Sequence, residues 1–110
     1  MSVVTNLIFS FSVGEDENKM MNQVNSFKYG LQTLNLVSAD YIRDTENRRT
    51  AWYGGGKFLE ARLFVGAFNH LDLNEFIDHV KSLDWEEPEC VQIIVKEQHD
   101  DIFRLINVFE

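Results

Sequence analysis

Apolar and polar residues alternate near the start of this chain. In the second half of the segment Val3–Val13, one set of alternate residues is apolar, and the other set is mixed. The apolar set comprises Leu7, Phe9, Phe11 and Val13. A period of two with one partly polar side is typical of a half-buried β-strand. Gly14 follows and predicts the end of this strand.

The spacing changes to a helical period after Gly14. The acidic run Glu15–Glu17 is well placed against the dipole of a helix N-terminus, and Gly30 fits the C′ position just after the helix end. The predicted apolar face comprises Met20, Met21, Val24, Phe27 and Leu31.

A second helix is predicted after Asp72. Asp72 and Glu75 have the spacing of a capping box, with Asp in place of the usual Ser or Thr, and Leu71 and Phe76 stand where a hydrophobic staple requires apolar residues. The helix is expected to end near Asp84. Its apolar face comprises Leu73, Phe76, Ile77, Val80 and Leu83.

Four further segments are predicted as strands. They are Leu34–Arg43, Phe58–Phe68, Cys90–Glu97 and Ile102–Phe109. Phe58–Phe68 has apolar residues on both sides, which is typical of an interior strand. The turn Gln98–Asp101 predicts that the last two strands form a hairpin.

The order of these elements predicts the fold class. Apart from the last strand, it matches the βαββαβ pattern of ferredoxin-like α+β domains. We therefore expect a single domain, 1–110, with an antiparallel sheet, two helices on one face and an extra C-terminal strand. The opposite face would be partly open, with Ile8 and Phe64 contributing to it.

Composition and charge limit the possible partners. The formal net charge of −8 argues against direct nucleic-acid binding and is compatible with a basic protein partner. We expect no membrane span, because no apolar run approaches the roughly 20 residues required. We also predict no signal peptide. The single cysteine, Cys90, cannot form an internal disulfide, so a cytoplasmic location is expected.

The segment Asp44–Lys57 is the main candidate for recognition. It contains adjacent arginines and an adjacent Trp-Tyr pair, and such residues are common at binding hot spots. In the predicted topology it meets the turn after Gly14 and the acidic loop Trp85–Glu89 at one end of the sheet. The predicted partner-binding residues are Arg48, Arg49, Trp52, Tyr53, Trp85, Glu86, Glu87 and Glu89. Alternatively, Trp52 covers the core and the arginines pair with the acidic turns.

Catalytic, metal and cofactor sites are not predicted. The run Gly54–Lys57 lacks the spacing of a phosphate-binding loop, and the acidic turns lack the ligand spacing of a calcium loop. His70, His79 and His99 have no nucleophile at recognisable spacing. Cys90 is expected to be a buried and unreactive thiol, because nearby carboxylates disfavour the thiolate.

Two functional hypotheses remain. The first is a small acidic, non-enzymatic protein that caps or inhibits a basic protein partner, as immunity proteins and inhibitors do. The second is a small-molecule-binding or enzymatic ferredoxin-like homodimer, joined through the open sheet face or the last strand. Fold alone does not decide between them.

Overall fold

The computed structural model of the protein describes residues 3–39 and 61–109. In chain order its elements are strand β1 (Val4–Phe11), helix α1 (Glu17–Val24), strands β2 (Lys28–Tyr29), β3 (Gln32–Thr33), β4 (Val37–Ser38) and β5 (Arg62–Asn69), helix α2 (Leu73–Lys81), a 3₁₀ turn (Pro88–Cys90), and strands β6 (Gln92–Glu97) and β7 (Arg104–Asn107).

Five of these strands form one antiparallel sheet in the order β4-β5-β1-β6-β7. Strand β1 is central, and Phe9 lies opposite Phe64 on β5 and Ile93 on β6. Strands β2 and β3 form a separate hairpin. The predicted α+β class, with an antiparallel sheet and two helices, is confirmed.

Both helices pack against one face of the sheet. Alternate residues of β1, including Phe9 at 0% exposure, point into a core that also contains Met20 of α1 and Phe76 of α2. The ring of Phe9 lies 6.2 Å from that of Phe76. The imidazole Nε2 of His79 lies 2.8 Å from the carbonyl of Gln23 and joins the two helices. Burial of each large apolar side chain contributes about 1.5–3 kcal/mol.

Helix α1 is shorter than predicted. It ends at Val24, and the chain then forms the hairpin of β2 and β3 instead of a further turn of helix. Gly30 has a φ of 60° at the first position of the two-residue turn, where type II′ turns require a positive φ. Leu31, predicted on the apolar face, is fully exposed at the tip, whereas Phe27 is buried after the helix end.

Strand β5 turns its phenylalanines toward the helices, which corrects the expectation that Phe64 contributes to the open face. Phe64 is 5% exposed and stacks on Phe11 with ring centres 5.6 Å apart. Between Phe64 and Phe68 the strand carries Gly66, where a Cβ atom would lie 2.5 Å from the ring of Phe68. The missing side chain therefore makes room for Phe68 in the core.

The start of α2 agrees with its sequence signal. The side chain of Asp72 accepts a hydrogen bond from the backbone N–H of Glu75 at 3.1 Å, as an N-cap residue does. Leu71 and Phe76 are both buried. His70, just before this cap, adopts a left-handed conformation with φ of 58°.

The remaining predicted strands are shorter in the structure. The segment predicted from Leu34 is a strand only at Val37–Ser38 among the residues described, and Leu34 and Leu36 are buried in the core. Positions 40–43 and 58–60 of the predicted strands lie outside the described residues. The predicted hairpin of β6 and β7 is confirmed.

Candidate partner-binding surface

The two acidic turns meet at one end of the sheet. Glu15 is only 6% exposed, and its carboxylate accepts hydrogen bonds from the backbone N–H groups of Glu86 at 3.2 Å and Glu87 at 2.7 Å. The hydroxyl of Ser12 donates to the carboxylate of Glu87. The backbone N–H of Gly14 in turn donates to Ser12 at 3.0 Å. The prediction that these two connections share one end is confirmed.

Trp85 belongs to the core and not to an exposed binding surface, which corrects its sequence-based assignment. Its side chain is 7% exposed, and its indole N–H donates to the carbonyl of Val80 at 2.9 Å. Its ring lies 5.3 Å from that of Phe11 and 5.9 Å from that of Phe9. Because its indole N–H is hydrogen-bonded and its ring packs against other aromatic rings, Trp85 attaches the acidic loop to the core.

The predicted glutamates differ in what they offer to a partner. Glu86 and Glu89 are exposed, whereas Glu87 is half-buried and bonded to Ser12. The backbone of residues 86 and 87 is fixed by Glu15, so the exposed carboxylates project from a constrained segment. We call Glu86, Glu87 and Glu89, together with Glu15, the acidic rim.

The electrostatic effect of the acidic rim is visible at Cys90. This residue ends the 3₁₀ turn and is exposed, in contrast to the expected burial. Partial desolvation by surrounding protein atoms, and then the negative charges of Glu89, Glu87 and Glu15, raise the pKa of the Cys90 thiol. The direction of this shift agrees with the expectation that nearby carboxylates disfavour the thiolate.

The remaining predicted residues, Arg48, Arg49, Trp52 and Tyr53, lie outside the described part of the chain. The strands on either side, β4 and β5, show at which end of the sheet the chain leaves one strand and enters the other. Strand β4 runs parallel to β1 because both are antiparallel to β5, and Phe11 at the end of β1 lies opposite Arg62 at the start of β5. The chain therefore leaves β4 and enters β5 at the same end of the sheet as the acidic rim.

A groove at one edge of the sheet was not predicted from the sequence. It has a volume of about 440 Å³ and lies between α1 and strands β4 and β5. Its lining residues are Glu17, Asn18, Met21, Asn35, Leu36, Val37, Ser38 and Phe64. No local pattern signals this groove, because it depends on how far α1 stands from the sheet edge.

His79 has a structural partner away from the acidic rim. His79 lies 5.3 Å from the ring of Phe27, centre to centre, and its Nε2 bonds to Gln23 and not to Glu75, the partner suggested by its helical spacing. Within residues 3–39 and 61–109, no group of three or more His, Cys, Asp or Glu side chains is arranged to hold a metal ion.

Comparison with known proteins adds no assignment. Neither the family models, nor the curated proteins, nor the solved structures contain a match to this chain. None of the helices in the described part of the chain has the length and apolar character needed to cross a membrane.

Proposed function

We propose that this protein is a small non-enzymatic binding protein that caps a basic protein partner through the acidic rim. The main supporting observation is that the two carboxylate oxygens of Glu15 accept hydrogen bonds from the backbone N–H groups of Glu86 and Glu87. A buried carboxylate holds the loop in one conformation, so the exposed Glu86 and Glu89 lose little entropy when they meet a partner.

We further propose that the domain is ferredoxin-like with an added edge strand. Support comes from the antiparallel order β4-β5-β1-β6-β7, in which β5 lies between two strands joined through α1, and β1 lies between two strands joined through α2. In such an arrangement the connections after β1, β4 and α2 share one end. Arg48, Arg49, Trp52 and Tyr53 stay predicted as further contacts from the second of these connections.

The charge of the acidic rim favours a basic partner. Opposite charges across an interface mainly accelerate association and select against wrong partners. Partners with an acidic surface would be repelled by Glu86 and Glu89. The cytoplasm stays the proposed compartment.

The test compares two charge-reversed variants as affinity baits in lysate of the native cell. Glu86→Lys/Glu89→Lys alters the acidic rim, whereas Glu75→Lys/Asp101→Lys makes the same change in net charge with exposed residues at the other end of the sheet. We expect the wild type and the Glu75→Lys/Asp101→Lys control to recover a basic partner in stoichiometric amount. The Glu86→Lys/Glu89→Lys variant should not recover it, and high salt should release it from the wild type. Equal recovery on both variants would contradict a role for the rim.

A second candidate function is a small-molecule-binding or enzymatic homodimer. The groove of about 440 Å³ favours it, since pockets for small ligands begin near 300 Å³. Its floor contains the buried Met21 and Leu36, and Glu17 supplies a carboxylate at its rim, so the ligand would be a small amphipathic cation. A thermal-shift screen of organic amines tests this: stabilisation by one of them, lost in Glu17→Gln, would support it.

A further inference from the structure

One aliphatic residue from each strand lies in a row across the sheet face that the helices do not cover. Val37 on β4 is opposite Val65 on β5, Val65 is opposite Ile8 on β1, Ile8 is opposite Ile94 on β6, and Ile94 is opposite Leu105 on β7. Val37 is 40% and Leu105 57% exposed, and the three central residues are half-buried. We call these five residues the aliphatic row.

The residues around the aliphatic row have a charge character unlike the rest of the chain. The neighbouring positions on this face include Asn6, Ser10 and Gln92, which are polar and neutral. Among the strand residues that the structure describes on this face, none is Asp or Glu, and Lys96 is the one charged residue. The whole chain contains 18 acidic residues, so the uncovered face is separated from the charge that would repel another copy.

We propose that the uncovered sheet face binds the same face of a second copy of this chain around a twofold axis. In a twofold interface each surface meets itself, and an aliphatic row is complemented by another aliphatic row. No carboxylate from the described strands of either copy would be desolvated, and Lys96 lies near the end of β6. A basic partner would be drawn to the acidic rim instead, so this surface acts independently of the proposed capping function.

The dimensions of the face indicate a dimer of modest affinity. The five strands contain 2, 8, 8, 6 and 4 residues in sheet order, and at about 3.3 Å per residue and 4.8 Å per strand they give a projected area of about 450 Å². Standard interfaces bury about 800 Å² from each partner. Because the face is smaller than a standard interface, we expect a weak dimer that forms only at high protein concentration.

The test is sedimentation velocity over a wide range of protein concentration. Leu105→Glu places a carboxylate in the aliphatic row, whereas Ile102→Glu makes the same kind of change at a residue that is 76% exposed and precedes β7. We expect the wild type and Ile102→Glu to dimerise equally, and Leu105→Glu to raise the dissociation constant at least tenfold. Circular dichroism checks that both variants fold.

A further variant separates face pairing from edge pairing, because Leu105 also lies on an edge strand. Ile94→Gln changes β6, which is covered on both edges within the sheet, so it weakens dimerisation only if the faces pack. Dimerisation sensitive to Leu105→Glu but unaffected by Ile94→Gln would overturn the face proposal in favour of β7 pairing. A wild type that stays monomeric up to millimolar concentration would also overturn it.

Discussion

The side-chain amide of Asn25 makes both backbone hydrogen bonds of Leu36. Its Nδ2 donates to the Leu36 carbonyl at 3.1 Å, and its Oδ1 accepts from the Leu36 N–H at 2.9 Å. Asn25 caps the C-terminus of α1, and Leu36 is buried just before β4. This side chain therefore replaces a strand partner and fixes the sheet edge against the helix.

Replacement of Asn25 by Ala should destabilise the protein by about 2–3 kcal/mol, because it leaves two partly buried backbone groups without a partner. Asn25→Asp keeps the acceptor but loses the donor, so it should also destabilise. Urea unfolding measures both effects. The control is Asn22→Ala on the exposed side of α1, which should change stability by less than about 0.5 kcal/mol. Equal effects at both positions would show that the paired bonds contribute nothing.

Glu15→Ala should cost about 2–4 kcal/mol, because the N–H groups of Glu86 and Glu87 lose a charged acceptor. Glu15→Gln retains one carbonyl oxygen and should cost less. Chemical denaturation gives the stability, and hydrogen exchange at these two amides reports whether the loop opens locally. Glu89→Gln, which changes an exposed carboxylate of the same acidic rim, is the matched control and should leave the exchange unchanged.

Cys90 should react slowly with iodoacetamide near neutral pH, and its rate should rise as pH approaches the raised pKa. The thiolate is the nucleophile, and it is disfavoured first by desolvation and then by the carboxylates of the acidic rim. Glu89→Gln removes one negative charge and lowers the thiol pKa, so alkylation at pH 7.5 should accelerate a few-fold at low salt. The gain should shrink at high salt because exposed charges are screened. A rate that does not change with this substitution would argue against charge control.

His70→Val should destabilise the protein by about 1–2 kcal/mol, because a β-branched residue tolerates a φ of 58° poorly. His70→Gly should be close to neutral, since glycine adopts this conformation without strain. Thermal unfolding of the two variants gives the difference. Similar melting temperatures for Val and Gly would mean that the side chain, and not the backbone conformation, determines the contribution of this position.

Local sequence signals predicted that the helices and strands exist better than they predicted where each one ends and which of its residues face the core. The cap of α2 at Asp72 was predictable, because its acceptor and its N–H lie three residues apart in sequence. The end of α1 was not, because Phe27 and Leu31 keep helical spacing while Asn25 finds its partner in Leu36, eleven residues away. Only the fold brings these groups together.

The sequence pattern also did not determine which residues of the interior strand β5 face the helices. Both sides of β5 are apolar, so periodicity does not say whether Phe64 or Val65 faces the helices. In the structure the ring of Phe68 fills the space above Gly66 on the helix side, and this contact is not visible in the periodicity. For the candidate surface, the acidic residues were visible in the sequence, but the burial of Glu15 beneath them required the three-dimensional structure.

The aliphatic row and the carboxylates lie on different parts of the surface, so repulsion and attraction between copies depend differently on salt. Its net charge of −8 repels other copies over a range of about 10 Å at 0.1 M ionic strength. In the proposed dimer, attraction between the sheet faces would act only at contact and would be strengthened by salts such as sulfate. We therefore expect added sulfate to shorten the range of the repulsion and to reinforce the proposed attraction, so that the fraction of dimer rises with the sulfate concentration.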